Sequence, residues 1–411
     1  MRIFLSTGEP SGDLHAANLI RSLRKLRPDV EVVGFGGPRM AEAGATLLYP
    51  LVDLAVMWFL RVLLNLRKFF KLIDQADAEF VANRPDAVVL IDYPGFHWHL
   101  AKAAKRRGIP VFYFVPPQIW AWGGWRVNKL RRTVDHVLCS LPFEPKWYHD
   151  RDVPGAVYIG HPYFDELAER VLDFGFIAEV ASRPGPIVAI LPGSRTQEVT
   201  RNLPIMLRAA AKLTADRPDV RFAVASLHDR HRNLAARILE DSGLAIDVEL
   251  HSARTPELIR MADVAWAVSG SVGLELMVEA LPTVVLYKVR RFDLWVARWF
   301  IKAKYISLVN LLADAEVMPE YLTPFDVSGE LAAWAGRWLV DPAERQKASA
   351  ALAELRAEVA VPGASDRAAG RIVEVLEAPA ATGPEVATAP AHPLHRGPHD
   401  PARAARDAQA S

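Results

Sequence analysis

Short apolar runs separated by longer stretches of helical spacing recur from the first residue onward, the rhythm of parallel βαβ layering. In the first half they predict strands at Arg2 to Ser6, Val30 to Gly34, Ala87 to Ile91, Val111 to Val115, His136 to Cys139 and Val157 to Ile159. In the second half they predict strands at Ile187 to Leu191, Arg221 to Ala225, Val248 to Leu250, Val264 to Val268 and Thr283 to Leu286. The Pro/Gly-rich stretch at 183–186 precedes a fresh strand, so a boundary is expected near 165–186. The chain is then α/β, with one doubly wound domain over 1–170 and a second over 185–345. A helical segment at 346–377 is expected to pack back toward the first domain. From Ala378 onward 17 of 34 residues are Ala or Pro, which predicts a disordered tail over 378–411 whose histidines, His392, His395 and His399, are solvated.

Composition narrows the function. With 49 Lys and Arg against 48 Asp and Glu the net charge is +1, so no global field draws the chain to nucleic acid. The single cysteine, Cys139, sits in an apolar run and reads as a core residue in a reducing compartment. The N-terminal apolar run is too short for a signal peptide, so a cytoplasmic location is expected. The longest apolar stretch, Leu47 to Phe70, is broken by Asp53, Arg61, Asn65, Arg67 and Lys68, and is expected to lie on a membrane without crossing it.

Ligands of doubly wound sheets bind beyond the carboxyl ends of the strands, so the loops after the predicted strands carry the candidate chemistry. The first strand leads into Gly8-Glu9-Pro10-Ser11-Gly12-Asp13, small residues opening a helix; Glu9, Ser11, Gly12 and Asp13 are expected to line a cleft, or to cap the helix. The third predicted strand ends in Asp92-Tyr93-Pro94-Gly95-Phe96-His97. A carboxylate at the end of an apolar strand is partly desolvated and suited to take a proton from a hydroxyl, which makes Asp92 the candidate general base. The next strand runs into a loop with Trp120, Trp122 and Trp125, expected to hold a substrate or to form a core seam.

In the second half, Pro192-Gly193-Ser194-Arg195 offers amides, a hydroxyl and a guanidinium to one anion, and Ser269-Gly270-Ser271 opens another helix with Glu275 about one turn inside. Two such turns in one domain predict a nucleotide site. No GxxxxGK[ST] run exists, and Asp150-Arg151-Asp152 follows no strand, so it reads as a solvated loop rather than a metal site.

Taken in order, Gly8-Glu9-Pro10-Ser11-Gly12-Asp13, Asp92-Tyr93-Pro94-Gly95-Phe96, Pro116-Pro117-Gln118-Ile119-Trp120-Ala121-Trp122, Pro142-Phe143-Glu144, Gly160-His161-Pro162, Leu191-Pro192-Gly193-Ser194-Arg195 and Asn310-Leu311-Leu312 resemble the lipid-A-disaccharide synthase family over roughly residues 1–376. The resemblance implies a GT-B glycosyltransferase, two Rossmann-like domains facing across a cleft, with the acceptor on the first and a UDP-sugar on the second. It implies transfer of 2,3-diacylglucosamine from UDP-2,3-diacylglucosamine to the 6-hydroxyl of 2,3-diacylglucosamine 1-phosphate, with inversion and with no metal or other cofactor. Carried over by motif, Asp92 is the base. Ser194, Arg195, Ser269, Gly270, Ser271, Glu275 and Asn310 are donor-site residues, and Glu9, Ser11, Gly12, Asp13, Trp120 and Trp122 belong to the cleft and acceptor site. The chain departs from the family pattern at Ser271 to Gly273, where Thr-Ala-Ser is usual, at Gly123 for Arg, at His97 for Asn and at Thr323 for Gln. Another GT-B enzyme such as a UDP-N-acetylglucosamine 2-epimerase, or a non-catalytic lipid- or nucleotide-binding homologue, is the alternative.

Lipid substrates imply a membrane partner and a peripheral position on the cytoplasmic face of the inner membrane. Leu51 to Phe70, with Trp58, Phe59, Leu60 and Leu63 beside Arg61, Arg67 and Lys68, is the expected membrane or acyl-chain surface, and 290–302 interleaves aromatics and cations similarly. The family includes dimers with swapped C-terminal segments, which leaves a homodimer open.

Overall fold

The computed structural model of the chain describes residues 1–55, 66–291 and 303–378. Trp58, Phe59, Leu60, Leu63, most of the 290–302 run and the tail beyond residue 378 therefore lie outside the described residues.

The first sheet holds β1 (Arg2–Thr7), β2 (Glu31–Phe35), β3 (Thr46–Tyr49), β4 (Ala87–Ile91), β5 (Val111–Phe114), β6 (His136–Cys139) and β7 (Ala156–Tyr158), in the order β3-β2-β1-β4-β5-β6-β7. The second holds β8 (Ile187–Leu191), β9 (Arg221–Ser226), β10 (Val248–Ser252), β11 (Val264–Ala267), β12 (Thr283–Lys288) and β13 (Glu320–Thr323), in the order β10-β9-β8-β11-β12-β13. Every pairing is parallel. The central strands are apolar without alternation because helices cover both faces: all five residues of β4 and of β8 are buried. The two faces of the first sheet carry separate cores, one around Phe4, Phe80, Leu90 and Tyr113 and the other around Leu5, Leu19, Val89 and Phe112.

Two edge strands, β3 and β13, were not expected from the sequence. Both are four-residue strands at sheet edges and mostly half-buried, and Leu47 to Tyr49 of β3 opens the long apolar stretch expected at a membrane surface.

The crossing between domains also falls earlier than expected. Phe164 already belongs to the core of the second domain, with Ala265 and Leu274, so the chain leaves the first domain at 160–163 rather than near 170. It returns at 360–363. Helix Pro342–Val359 packs Leu352 and Leu355 on the second domain, and helix Ala364–Glu377 packs Ala368 and Ile372 on the first. The 346–377 segment is thus divided between the domains. Asp165 binds the two crossings together by accepting from the amides of Gly363, Ala364 and Ser365 at 2.6, 3.0 and 2.9 Å, and Arg367 donates back to the Ile159 carbonyl at 2.7 Å.

Candidate functional site

In each sheet the strand order reverses once, between β1 and β4 in the first and between β8 and β11 in the second. Loops leave a reversal point in opposite directions and open a crevice at the carboxyl edge. Glu9 follows β1 and Asp92 follows β4; Ser194 and Arg195 follow β8, and Ser269 to Ser271 follow β11. The two crevices face each other, because Arg195 of the second domain stands close enough to Asp92 and Glu9 of the first to stabilise both carboxylates.

Asp92 is held in an unusual backbone state. Asp92 and Tyr93 both adopt left-handed conformations, with φ of 53° and 48°, a strain of about 1 kcal/mol or more per non-glycine residue. The strain is held from behind. The Asp92 carbonyl accepts from the Tyr113 hydroxyl at 2.7 Å and from His97 Nδ1 at 2.6 Å, while His97 Nε2 accepts from the Ser6 hydroxyl at 3.0 Å. Burial raises the Asp92 carboxyl above the usual aspartate range, with Tyr93 amide bonding and Arg195 opposing it. Glu9 is raised in the same way, by burial and then by the charge of Asp92. A carboxylate less acidic than usual, opposite a cation, is a competent base for a sugar hydroxyl.

The second domain supplies the anion side. Glu198, one turn into helix Thr196–Asp216, accepts from the amides of Ser194 and Arg195 at 3.0 and 3.2 Å, and its other oxygen meets the Arg195 guanidinium at 3.2 Å. Gly193, at φ 121°, leaves no room for a side chain against Glu198. The turn is therefore fixed while the Arg195 side chain stays 74% exposed and able to reach a ligand. Gly270 and Ser271 are also exposed, whereas the Ser269 hydroxyl donates to the Ile306 carbonyl at 2.6 Å and anchors the turn.

Several residues expected to contact ligands are engaged elsewhere. Asp13 is 2% exposed, and its carboxylate accepts from the amides of Gly37, Arg39 and Met40 at 2.9, 3.1 and 3.1 Å, so it caps the next helix rather than lining the cleft. Gly12 is buried against the Thr7 side chain, which lets the helix sit close on β1. Ser11 is exposed at the helix start. Asn310 is fully buried and its amide makes four hydrogen bonds with Met318, Glu320 and Val317, closing the loop before β13. Glu275 pairs with Arg170 and accepts from the Tyr163 hydroxyl at 3.1 Å, so it ties its helix to the 163–170 crossing instead of presenting a free carboxylate. Trp120 turns inward and donates to buried Glu144 at 3.0 Å, while Trp122 is 54% exposed beneath the Arg126 guanidinium at 3.8 Å. Thr323 uses its hydroxyl on the Phe325 amide at 3.0 Å.

Tyr113, Glu144, Glu198 and Arg170 escaped the sequence reading as supports of the site. Glu198 carried a local signal, three residues beyond Arg195 at a helix start. Tyr113 and Arg170 carried none, because their contacts cross 21 and 105 residues. Among the described residues no group of three His, Cys, Asp or Glu is placed to hold a metal ion, and no helix is long and apolar enough to cross a membrane.

Over residues 3–367 the chain matches the model of the lipid-A-disaccharide synthetase family. It is 36% identical over 376 residues to the lipid-A-disaccharide synthase of Myxococcus xanthus, covering 91% of this chain and 97% of that one. The chain belongs to the lipid-A-disaccharide synthase family. The family's enzyme from Geobacter sulfurreducens is 34% identical over the same shares. Membership makes the chain a glycosyltransferase of lipid A biosynthesis and implies a UDP-sugar type of donor and a lipid acceptor. Among solved structures, UDP-N-acetylglucosamine 2-epimerase from Neisseria meningitidis, bound to UDP-GlcNAc, superposes with a TM-score of 0.60 at 13% identity, over 92% of this chain and 99% of that one. MurG from Acinetobacter baumannii superposes at 0.56 and 14% identity, over 91% and 99%. These likenesses show the GT-B fold alone. The His97 ring holds the Asp92 carbonyl.

Acid should loosen this arrangement. Burial holds His15 down to about 4 and holds His97 and His161 down to about 3. These rings stay neutral in the fold while the unfolded chain protonates near 6.5, so their contribution is full above about 6.5 and is lost as pH falls toward 3, at up to about 1.4 kcal/mol per pH unit per ring. Buried Glu144, raised to about 7, acts oppositely and costs stability as pH rises from about 4.5 to 7. The expected net result is a melting temperature that drops between pH 6.5 and 4, with a slope shallower by about one proton in His97→Asn. A flat profile in the wild type would contradict it.

Proposed function

We propose that the cleft transfers 2,3-diacylglucosamine from UDP-2,3-diacylglucosamine to the 6-hydroxyl of 2,3-diacylglucosamine 1-phosphate. The observation that carries the reading is the opposition of Asp92 and Arg195, each beyond the reversal point of its own sheet, in a chain of this family. Asp92 takes the proton of the acceptor hydroxyl as its oxygen attacks the anomeric carbon of the donor. The bond from that carbon to the UDP oxygen breaks on the opposite face, so the configuration inverts. Arg195, with the Ser194 hydroxyl and the amides of the exposed 270–271 turn, meets the charge that develops on the departing diphosphate. A guanidinium and fixed amides supply this positive potential without a metal ion. Ser194, Gly270 and Ser271 are proposed donor contacts, and Glu9 and Ser11 flank the acceptor. Both substrates carry acyl chains, which supports a peripheral position at the cytoplasmic face of the inner membrane.

The test is incubation of the protein in detergent micelles with both substrates, with and without EDTA, following UDP release and the disaccharide mass. Disaccharide formation unaffected by EDTA is expected. Conversion of UDP-N-acetylglucosamine in the absence of any acceptor would replace this reading with an epimerase, and UDP binding without any product would replace it with a binding role.

A further inference from the structure

Residues 93–134 contain eight Lys or Arg and no Asp or Glu, in a chain whose total charge is only +1. Four of these cations are neutralised from outside the segment: Lys105 by Asp135, Arg106 and Arg107 by Asp77, and Arg131 by Asp152. Lys102, Arg126, Lys129 and Arg132 have no ion pair among the described residues, and the two lysines stand near each other, since burial and then Lys102 lower the Lys129 ammonium.

Exposed aromatics interleave with these charges. Trp122 and Trp125 are 54% and 65% exposed, large apolar surfaces that a purely soluble face does not need. Arg126 lies over the Trp122 ring at 3.8 Å and Lys129 over Trp98 at 5.5 Å, while Phe70, 56% exposed, meets His99 edge-on at 6.4 Å. The contacts run from one helix to the next: Leu66–Ala82, Pro94–Arg106, Val127–Thr133 and the short turn Gly124–Arg126 that precedes it.

We infer that this flank of the first domain, built on Trp122, Trp125, Lys102, Arg126 and Lys129, docks on an anionic lipid bilayer. Tryptophan rings suit the headgroup depth, and each nearby cation contributes to attraction by anionic lipid. The location has a purpose. His99 and Lys102 lie within the first three turns of the helix that begins right after Asp92-Tyr93, so the flank borders the edge of the sheet that carries the proposed base. An acyl-chain substrate would then enter the cleft from the surface on which the flank rests. That purpose rests on the function proposed above, whereas the docking itself does not.

The experiment compares the full chain with the triple variant Lys102→Glu, Lys129→Glu, Arg132→Glu on vesicles of phosphatidylcholine, alone or with about a quarter phosphatidylglycerol, by sedimentation. The wild type is expected to bind the anionic vesicles, to bind neutral ones weakly, and to be released by raising salt. The variant is expected to lose at least about 30-fold in partition while forming disaccharide in detergent micelles within about twofold of wild type. Equal binding of variant and wild type to anionic vesicles, or wild-type binding that ignores both lipid charge and salt, overturns the inference. If the wild type forms no disaccharide in micelles, the functional reading fails and the vesicle comparison still decides the docking surface.

Discussion

Asp92→Asn is expected to lower the rate of disaccharide formation by about 10²- to 10⁴-fold while leaving UDP affinity within about twofold. The substitution keeps the size and the strained backbone position, because Tyr113 and His97 hold the Asp92 carbonyl and not its side chain. What it removes is the only feature a base needs, an oxygen that can accept the hydroxyl proton. Turnover assayed in micelles together with UDP calorimetry separates the two effects. A variant that keeps most of its rate would assign the proton to another group, and Glu9, raised by burial and by Asp92 itself, would be the first to examine.

Arg195→Ala should be nearly as damaging, by about 10²- to 10³-fold in kcat/KM, because it withdraws positive charge from the leaving diphosphate. It should weaken UDP binding as well, which distinguishes it from the aspartate substitution. A second consequence follows from its position. Arg195 lowers both Asp92 and Glu9, so its removal lets each carboxyl rise further. The acidic limb of the rate profile should therefore move to higher pH, since the base must lose its proton at a higher pH before it can act. Arg195→Lys should restore part of that shift but less of the rate, as a point charge lacks the paired donors of a guanidinium. An unmoved acidic limb in Arg195→Ala would separate the two domains electrostatically and contradict the cleft described above.

The central strands were legible because doubly covered strands are apolar throughout, as β4 and β8 illustrate. The four-residue edges β3 and β13 were not, since so short a run gives little pattern to read. At the site, residues on loops right after central strands, Asp92 and Arg195 above all, stood out by position alone. Asp13, Gly12 and Asn310 lie in the same motifs yet serve packing and capping, and a motif alone does not separate a ligand contact from the residue that braces it. Asn310 shows why: only the folded loop reveals that Met318, Glu320 and Val317 already use its amide. The domain crossing was misjudged by several residues because the sequence of helix Tyr163–Glu169 does not declare which core Phe164 enters.

The most direct test of the cleft is a crystal structure of the protein with UDP. The diphosphate is expected within hydrogen-bond reach of the Arg195 side chain, the Ser194 hydroxyl and the 269–271 turn, with its terminal phosphate directed toward Asp92 across the domain interface. A diphosphate bound away from both turns, or facing away from Asp92, would contradict the account.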